Sequence, residues 1–308
     1  MKKVFVTGCS GYLGGTISSH LHHLGYGVIG SSRNNIPELG KVLGHEVIYC
    51  DLLKGVPDLH EVECLIHCAT PNDVISREND GGYPLAVNGV KRLIDHASYC
   101  GVNKIILLST VQVYGQDLIG TIDELTPVCC NNDYALNHFF SEEVARLAAK
   151  KTSIDIVCLR LPNIFGLPAT STVSRQTLVP FCFVDDLLTQ GKITLRSSGL
   201  QTRNFLHVSQ VSTVVEKLLD ISHSGYSLFN LSSTWYPTIA EIAELCISVA
   251  SEDFALKASI DLKSLHPSVS NKFLFKENAI SPDCHPHAVK SLMRSTVSSL
   301  IMLQLKSL

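Results

Sequence analysis

The sequence predicts an α/β fold in which a doubly wound parallel sheet is joined by a smaller C-terminal lobe. Short apolar runs of strand length alternate with helix-like segments through the first half of the chain, as in a parallel sheet with helices on both faces. A glycine-rich turn follows the first apolar run. After about residue 167 the alternation gives way to a segment rich in Ser and Thr, which indicates a second, smaller unit.

The glycine-rich turn lies between a short apolar run at 4–6 and a segment with helical spacing at 12–24. A strand, a tight turn and a helix N-terminus together form an anion site, because unpaired N–H groups and the positive end of the helix dipole point to one place. Gly8 allows the tight turn, Gly11 lets a pyrophosphate approach the backbone, and Gly14 lets helix and strand pack closely. An ordinary glycine turn is the alternative, but the position between strand and helix favours a Rossmann-type dinucleotide site.

The other elements follow from the same two patterns, apolar runs for buried strands and apolar residues at helical spacing for helices. The further predicted strands are 27–31, 46–51, 64–69, 104–109, 154–159, 192–195 and 204–208. The further predicted helices are 85–99, 134–150, 237–251 and 292–305. We expect Asp133 to cap the helix at 134–150 and the segment 168–175 to be a loop.

These elements divide into a dinucleotide-binding domain and a smaller lobe. The domain covers 1–167, with a contribution from about 200–235, and the lobe is formed mainly by 168–308. The length of 308 residues suits one large domain or a domain with a lobe. A cleft between the two parts would hold the substrate.

Composition excludes several classes of protein. A net charge of −3 gives no basic surface for nucleic acid, and no apolar run approaches the length of about 18 residues needed for a membrane span. The N-terminus lacks the pattern of a signal peptide, and eleven scattered cysteines, an odd number, favour a reducing cytoplasm over a disulfide-bonded setting. A histidine cluster at 20–23 has no paired carboxylate, so no metal site is predicted.

The end of the second predicted strand bears on cofactor choice. An acidic residue there would accept hydrogen bonds from the adenosine ribose, but the sequence is Ser31-Ser32-Arg33. Arginine pairs with a 2′-phosphate, so this stretch favours NADP over NAD. The alternative is that Arg33 is a solvated loop residue, in which case NAD is possible.

Several motifs occur in a familiar order: TGCSGYLG at 7–14, Asp51-Leu52, STVQVYG at 109–115, RLPNIFG at 160–166 and TRNFLHV at 202–208. With them the chain resembles an extended short-chain dehydrogenase/reductase of the nucleotide-sugar epimerase/dehydratase/reductase family, over about residues 3 to 250. The resemblance implies an NAD(P)-dependent enzyme with a nucleotide-sugar substrate. It also implies a homodimer formed through the helices around 86–100 and 134–150.

The resemblance also implies roles for individual residues. Tyr134 matches the tyrosine that exchanges a proton with a sugar hydroxyl, and Thr110, with Ser109 beside it, matches the hydroxyl residue that bonds the same oxygen. Thr110 and Ser109 are therefore expected to polarise the substrate oxygen. Apart from Tyr134 and His138, the residues implied to bind the cofactor are Gly8, Ser10, Gly11, Tyr12, Leu13, Gly14, Ser32, Arg33, Asp51, Leu52, Ala69 and Pro162. Without the resemblance, Tyr134 is equally interpreted as an amphipathic residue that begins a helix.

His138 departs from the family pattern, in which a lysine follows the tyrosine by four residues. Residues i and i+4 share a helix face, so His138 lies where the lysine would be and is expected to hydrogen-bond the nicotinamide ribose. An ammonium about 5 Å away would favour tyrosinate by roughly 3 kcal/mol, whereas a histidine is mostly neutral at pH 7. Three outcomes remain open. The positive charge of the oxidised nicotinamide suffices to stabilise the tyrosinate, or the enzyme is a reductase in which Tyr134 is a neutral acid, or the site only binds nucleotide.

Two further residues are implied to contact the substrate. Asn163 matches a residue that contacts the sugar nucleotide, and Arg203 matches one that pairs with its diphosphate, for which a guanidinium is suited. The alternatives are a turn residue at Asn163 and an exposed strand charge at Arg203.

Overall fold

A seven-stranded parallel sheet forms the centre of the molecule, with strand order β11-β7-β5-β4-β1-β2-β3. The computed structural model describes residues 2–78, 80–116, 118–171, 173, 175–262, 272–282 and 284–306. The sheet strands are β1 (Lys3–Thr7), β2 (Gly27–Ser32), β3 (Glu46–Tyr49), β4 (Cys64–His67), β5 (Lys104–Thr110), β7 (Asp155–Leu161) and β11 (Tyr226–Asn230). The predicted doubly wound α/β fold is confirmed.

Helices cover both faces of this sheet. They are α1 (Tyr12–His23), α2 (Leu39–Leu43), α3 (Val90–Tyr99), α4 (Asp133–Ala149) and α6 (Val208–Asp220). Successive residues of a strand point to opposite faces, so Val4 and Val6 of β1 join the core beneath α1 and α6, and Phe5 joins the core beneath α3 and α4.

The remaining elements form a smaller layer beside the sheet. Its helices are α5 (Phe181–Gln190), α7 (Ile239–Phe254) and α8 (Pro286–Leu305). Its strands form three parallel pairs: β8 (Asn163–Phe165) with β10 (Phe205–His207), β9 (Lys192–Leu195) with β12 (Ser259–Leu262), and β6 (Gly120–Ile122) with β13 (Phe273–Phe275). The apolar core of the α1 face continues into α5, α7 and α8.

Most of the predicted strands and helices are shifted by one to three residues at their ends. The helix predicted at 292–305 begins six residues earlier, at Pro286, because proline suits the first turn of a helix. The helices α2, α5 and α6 and the strands β6, β8, β11, β12 and β13 were not predicted. The predicted helix at 85–99 begins as a π-helical turn, Leu85–Gly89, before α3. Thr172 and Ser174 of the predicted loop at 168–175 lie outside the described residues.

The predicted cap of α4 is wrong. Asn132, not Asp133, is the N-cap, because its backbone is extended and its side-chain oxygen accepts a hydrogen bond from the Ala135 N–H at 2.8 Å. Asp133 lies one residue inside the helix, and its carboxylate accepts a hydrogen bond of 2.6 Å from the Tyr83 hydroxyl. Two adjacent polar residues are both suitable caps, so the sequence alone does not distinguish them.

Candidate active site

A cleft of about 1040 Å³ lies where the parallel strands end, at their carboxyl edge. Ligands of doubly wound sheets bind at this edge. The predicted site residues that line the cleft are Gly8, Ser10, Gly11, Tyr12, Leu13, Gly14, Arg33, Asp51, Leu52, Ala69, Ser109, Thr110, Tyr134, His138, Pro162 and Asn163. Ser32 and Arg203 are not among the described residues that line it.

The glycine turn forms a close-packed cradle at one end of the cleft. Gly8 has a φ of +73°, a conformation that side chains rarely adopt. A Cβ on Gly14 would lie 2.3 Å from the Gly8 carbonyl oxygen, so only glycine lets α1 approach the turn this closely. The first turn of α1 carries no acidic residue, so its free N–H groups face the cleft without a competing negative charge.

The residues at the end of β2, which are predicted to contact the adenosine of the cofactor, lie at one edge of the cleft. The Ser32 hydroxyl is turned inward, 3.0 Å from the hydroxyl of Ser10 and 2.8 Å from the carbonyl oxygen of Asn34. Arg33 is exposed and makes no ion pair among the described residues. Asp51 lies on the same cleft, 3.4 Å from the Lys54 ammonium. Ser32 therefore supports the turn, whereas Arg33 is accessible to a ligand.

Thr7 ties the end of β1 to the end of β4. Its hydroxyl oxygen accepts hydrogen bonds from the backbone N–H groups of Cys68 (3.1 Å) and Ala69 (3.2 Å). It also lies 2.9 Å from Nδ1 of His67. These contacts fix the segment around Ala69 beside the glycine turn, so both sides of the cradle have a defined position.

Tyr134 and Thr110 lie at the other end of the cleft. Tyr134 is half-buried in the first turn of α4, and its hydroxyl interacts with the Thr110 side chain. Burial raises the pKa of Tyr134, and Asp73 also raises it, whereas the contacts with Thr110 and Arg175 lower it. The net direction is upward, so the phenol is protonated at neutral pH.

His138 lies one turn further along α4, and its ring centroid is 4.7 Å from that of Tyr134. Burial lowers the pKa of His138 to about 3, with a smaller lowering contribution from His67. Burial also lowers the pKa of His67 to about 4. Both imidazoles are therefore neutral at physiological pH, and neither supplies the positive charge that a lysine at position 138 would bring.

The hydroxyl of Ser109 is directed away from the cleft. It donates a hydrogen bond to the Glu142 carboxylate, which is also held by Arg160 through bonds of 3.0 Å and 2.6 Å. The predicted role of Ser109 in polarising a substrate oxygen therefore has little geometric support. Thr110 is in contact with Tyr134 and retains that role as a prediction.

The two predicted substrate residues differ in position. Asn163 lines the cleft, and its amide donates a hydrogen bond of 3.1 Å to the Asn204 carbonyl oxygen. Arg203 is half-buried, and its guanidinium donates a 3.0 Å hydrogen bond to the carbonyl oxygen of Thr202. The structure thus brings Asn163, but not Arg203, together with Tyr134.

Sequence reasoning missed Arg175 and Asp73, which both line the cleft near Tyr134. The guanidinium carbon of Arg175 lies 5.4 Å from the ring centroid of Tyr12. Both missed residues occur in loops without a motif. The only available signal was that Arg175 is a cation in a segment otherwise rich in Ser and Thr.

One group of possible metal ligands occurs elsewhere in the part of the chain that the structure describes. Donor atoms of Asp58, His60 and Cys100 lie within 4.8 Å of one another, and Asp58 and His60 are hydrogen-bonded at 2.5 Å. None of the three lines the cleft. Within the described ranges, no helix combines the length and the apolar character needed to cross a bilayer.

Comparison with known proteins agrees with this architecture. The family model described as NAD dependent epimerase/dehydratase family matches residues 4–231. The dTDP-D-glucose 4,6-dehydratase of Mus musculus is 24% identical over 270 residues, which cover 82% of this chain and 74% of that protein. A putative UDP-glucose 4-epimerase of Methanocaldococcus jannaschii is 25% identical over 218 residues, 68% of this chain and 70% of that protein.

Solved structures share the fold at lower sequence identity. The UDP-N-acetylglucosamine 4-epimerase of Methanobrevibacter ruminantium, in complex with UDP-N-acetylmuramic acid, has a TM-score of 0.82 at 19% identity, covering 98% of this chain and 99% of that one. MoeE5, in complex with UDP-glucuronic acid and NAD, has a TM-score of 0.77 at 18% identity, covering 99% and 100%. The chain therefore belongs to the NAD dependent epimerase/dehydratase family and is an enzyme of that class.

Proposed function

We propose that this protein is an oxidoreductase that uses a nicotinamide cofactor to act on a nucleotide-linked sugar, as a 4-epimerase or a ketosugar reductase. One observation carries the proposal: the glycine turn and the Tyr134–Thr110 pair line the same cleft. A dinucleotide held at the turn would extend along the cleft toward the phenol. The related dehydratases and epimerases support a nucleotide-linked sugar as the substrate class.

The residues present fit a dinucleotide. The tight backbone packing at Gly8 and Gly14, which admits no Cβ, and the acid-free N-terminus of α1 suit a pyrophosphate. Asp51, Leu52, Pro162 and His138 all line the cleft. Asp51 and Leu52 would meet the adenosine, and Pro162 and His138 would meet the nicotinamide. When bound, the nicotinamide supplies hydride transfer.

The chain's own contribution to the chemistry is proton transfer at the Tyr134 hydroxyl. Because burial raises its pKa, Tyr134 is protonated before reaction and is ready to donate a proton to a sugar oxygen. Thr110 would hydrogen-bond the same oxygen. Neutral His138 would orient the cofactor ribose without changing the local charge. This state favours the reductase direction, in which no tyrosinate is needed beforehand.

Substrate contacts are proposed at Asn163 and Arg203. Asn163 lines the cleft, which supports its proposed contact with the sugar nucleotide. Arg203 lies outside the described cleft lining, so its proposed pairing with the diphosphate requires the nucleotide to extend beyond the cleft. A bidentate guanidinium contact suits a diphosphate.

The family is NAD-dependent, and a preference for NADP is the finer proposal. It rests on exposed Arg33 at the end of β2, where Ser31 and Ser32 stand in place of a carboxylate. The test is a comparison of the affinities for NADP and NAD by calorimetry. Equal affinities, or tighter binding of NAD, would contradict the preference.

A second candidate function is nucleotide binding without efficient chemistry. The neutral, buried state of His138 favours it, since the site lacks the ammonium that usually stabilises tyrosinate. In this case the cleft would bind cofactor tightly, and no sugar would change its redox state.

One experiment separates the two candidates. Cofactor absorbance and conversion of the sugar are followed with a panel of nucleotide sugars and nucleotide ketosugars, for the wild type, Tyr134→Phe and the control Tyr49→Phe, which changes a tyrosine 58% exposed on β3. We expect turnover that falls about a hundredfold or more in Tyr134→Phe and is unchanged in Tyr49→Phe. Bound cofactor with neither a redox change nor conversion of any sugar would support the binding function instead.

We also propose a homodimer formed through α3 and α4 and a reducing cytoplasmic setting. Exposed apolar side chains on these helices, Tyr99 and Leu147, support the first proposal. The second is supported by the cysteines, because all eleven are free thiols. Light scattering coupled to size exclusion gives the mass directly, and a mass near 33.6 kDa would contradict the dimer.

A further inference from the structure

Arg175 is a half-buried cation that lines the cleft, and no counter-charge among the described residues accounts for its position. Its Nε is buried and has no hydrogen-bond partner, and no carboxylate forms an ion pair with Arg175 within the described ranges. Leaving a guanidinium nitrogen unsatisfied is costly, so its position needs a reason.

Several contacts fix this position. The guanidinium lies over the face of Tyr12, 5.4 Å from the ring centroid, which is a cation–π geometry. The Tyr12 hydroxyl donates a 2.7 Å hydrogen bond to the Gly166 carbonyl oxygen, and the edge of its ring packs against Phe181. The backbone carbonyl of Arg175 accepts a 2.9 Å hydrogen bond from the Leu178 N–H. Arg175 is therefore held on a rigid aromatic support at the cleft.

The surroundings of Tyr134 contain little other positive charge. The side chain of Thr110 interacts with its hydroxyl and lowers its pKa, and His138 and His67 are neutral at physiological pH. Of the charged groups that act on the Tyr134 pKa, Asp73 raises it and Arg175 lowers it. Besides His138, the side chains that line the cleft and carry a charge are Arg33, Asp51, Asp73, Arg77, Asp133 and Arg175.

We propose that Arg175 supplies, from the loop that precedes α5, the positive charge that a lysine at position 138 would supply from α4. Arg175 and Tyr134 line the same cleft, so this charge acts through space on the phenol of Tyr134. It stabilises the tyrosinate that forms when the proton leaves, in either direction of the reaction. Arg175 thus acts through Tyr134, the proposed acid/base, and is a positioning residue and not a catalytic one. This inference rests on the proposed role of Tyr134.

The test measures the ionisation of Tyr134 in the absence of cofactor and substrate. The protein is produced with 3-fluorotyrosine, whose phenol is more acidic, and the ¹⁹F signal missing from Tyr134→Phe is titrated. Removing the charge in Arg175→Met should raise the midpoint of the Tyr134 titration by about one pH unit. Arg175→Lys should keep most of the wild-type value. Arg294→Met, which removes a surface guanidinium on α8, should keep all of it.

A rescue experiment tests whether a lysine at position 138 can replace the charge of Arg175. Adding His138→Lys to Arg175→Met should return the midpoint to the wild-type value or below, and restore turnover lost at neutral pH by about tenfold. An unchanged midpoint in both Arg175→Met and Arg175→Gln would overturn the inference while leaving the role of Tyr134 intact. Wild-type protein without Tyr134-dependent turnover would instead contradict the proposed function, and the ¹⁹F titration would still decide the charge interaction.

Discussion

His67 and His138 are two histidines whose properties are set by burial. Each is below 10% exposed, and each has a ring nitrogen without a hydrogen-bond partner. The low pKa values, about 4 for His67 and about 3 for His138, follow from the loss of hydration that a charged imidazole would need. The sequence identified position 138 as unusual but gave no indication that His67 lies behind it.

These two residues predict a loss of stability in mild acid. The unfolded chain, with histidine pKa values near 6.5, binds protons that the folded chain does not, so the free energy of unfolding falls as the pH falls below 6.5. The loss should continue down to the folded pKa values of about 4 and about 3. Each histidine contributes about 2 kcal/mol of this loss between pH 7 and pH 5. Urea unfolding at several pH values measures it.

A single replacement separates their contribution from that of the carboxylates. In His138→Gln the slope of the free energy of unfolding against pH should decrease by about 1.4 kcal/mol per pH unit in the window from 6 to 5. His287→Gln, which changes an exposed histidine on α8, is the control for loss of a histidine. A wild-type free energy that is flat from pH 7 to pH 5 would contradict the prediction.

At the scale of an element, α1 depends on the distance between its first turn and the glycine turn. Gly14 is needed for that close approach because a Cβ would meet the Gly8 carbonyl oxygen at 2.3 Å. The sequence predicted this element well, since a strand, three spaced glycines and an amphipathic segment are local signals.

Gly14→Ala should therefore displace α1 and damage the cradle. We expect a loss of about 1 to 3 kcal/mol in the free energy of unfolding and weaker cofactor binding in the same variant. Gly55→Ala is the matched control, because its Cβ would meet nothing within 4 Å and its backbone is not left-handed. Its stability should be unchanged or slightly higher. Equal behaviour of the two variants in thermal unfolding and cofactor titration would refute this account.

At the scale of the whole molecule, a buried polar network joins the strands of the sheet to α4. The Glu142 carboxylate is bonded by Ser109 of β5 and by Arg160 of β7, and both charged side chains are below 5% exposed. The Arg160 guanidinium lies 4.7 Å from the Tyr114 ring centroid, and the Tyr114 hydroxyl donates a 2.8 Å hydrogen bond to Asn230 of β11. The helix that carries Tyr134 is therefore fixed to three strands.

Removing one charge of this network should be strongly destabilising. Glu142→Gln leaves Arg160 buried without its counter-charge, and we expect the free energy of unfolding to fall by about 3 kcal/mol. The adjacent Glu143→Gln breaks a surface pair with Arg146 and should cost less than about 1 kcal/mol. Chemical unfolding of both variants measures the difference. Similar losses for the two would show that the buried network does not fix α4.

Local sequence determined six of the seven strands of the parallel sheet, several of its helices, the glycine turn and the position of Tyr134 at the start of a helix, because strand length, helical period and glycine spacing are written in neighbouring residues. The strand β11 and the helices α2 and α6 were not predicted from such patterns. Tertiary structure decided which hydroxyl faces the cleft: Thr110 contacts Tyr134, while Ser109 is bonded to Glu142. It also decided that His138 is neutral and that Arg175, held over the ring of Tyr12, lines the same cleft as Tyr134. Burial and charge at a site depend on segments far apart in the chain, so no local pattern contains them.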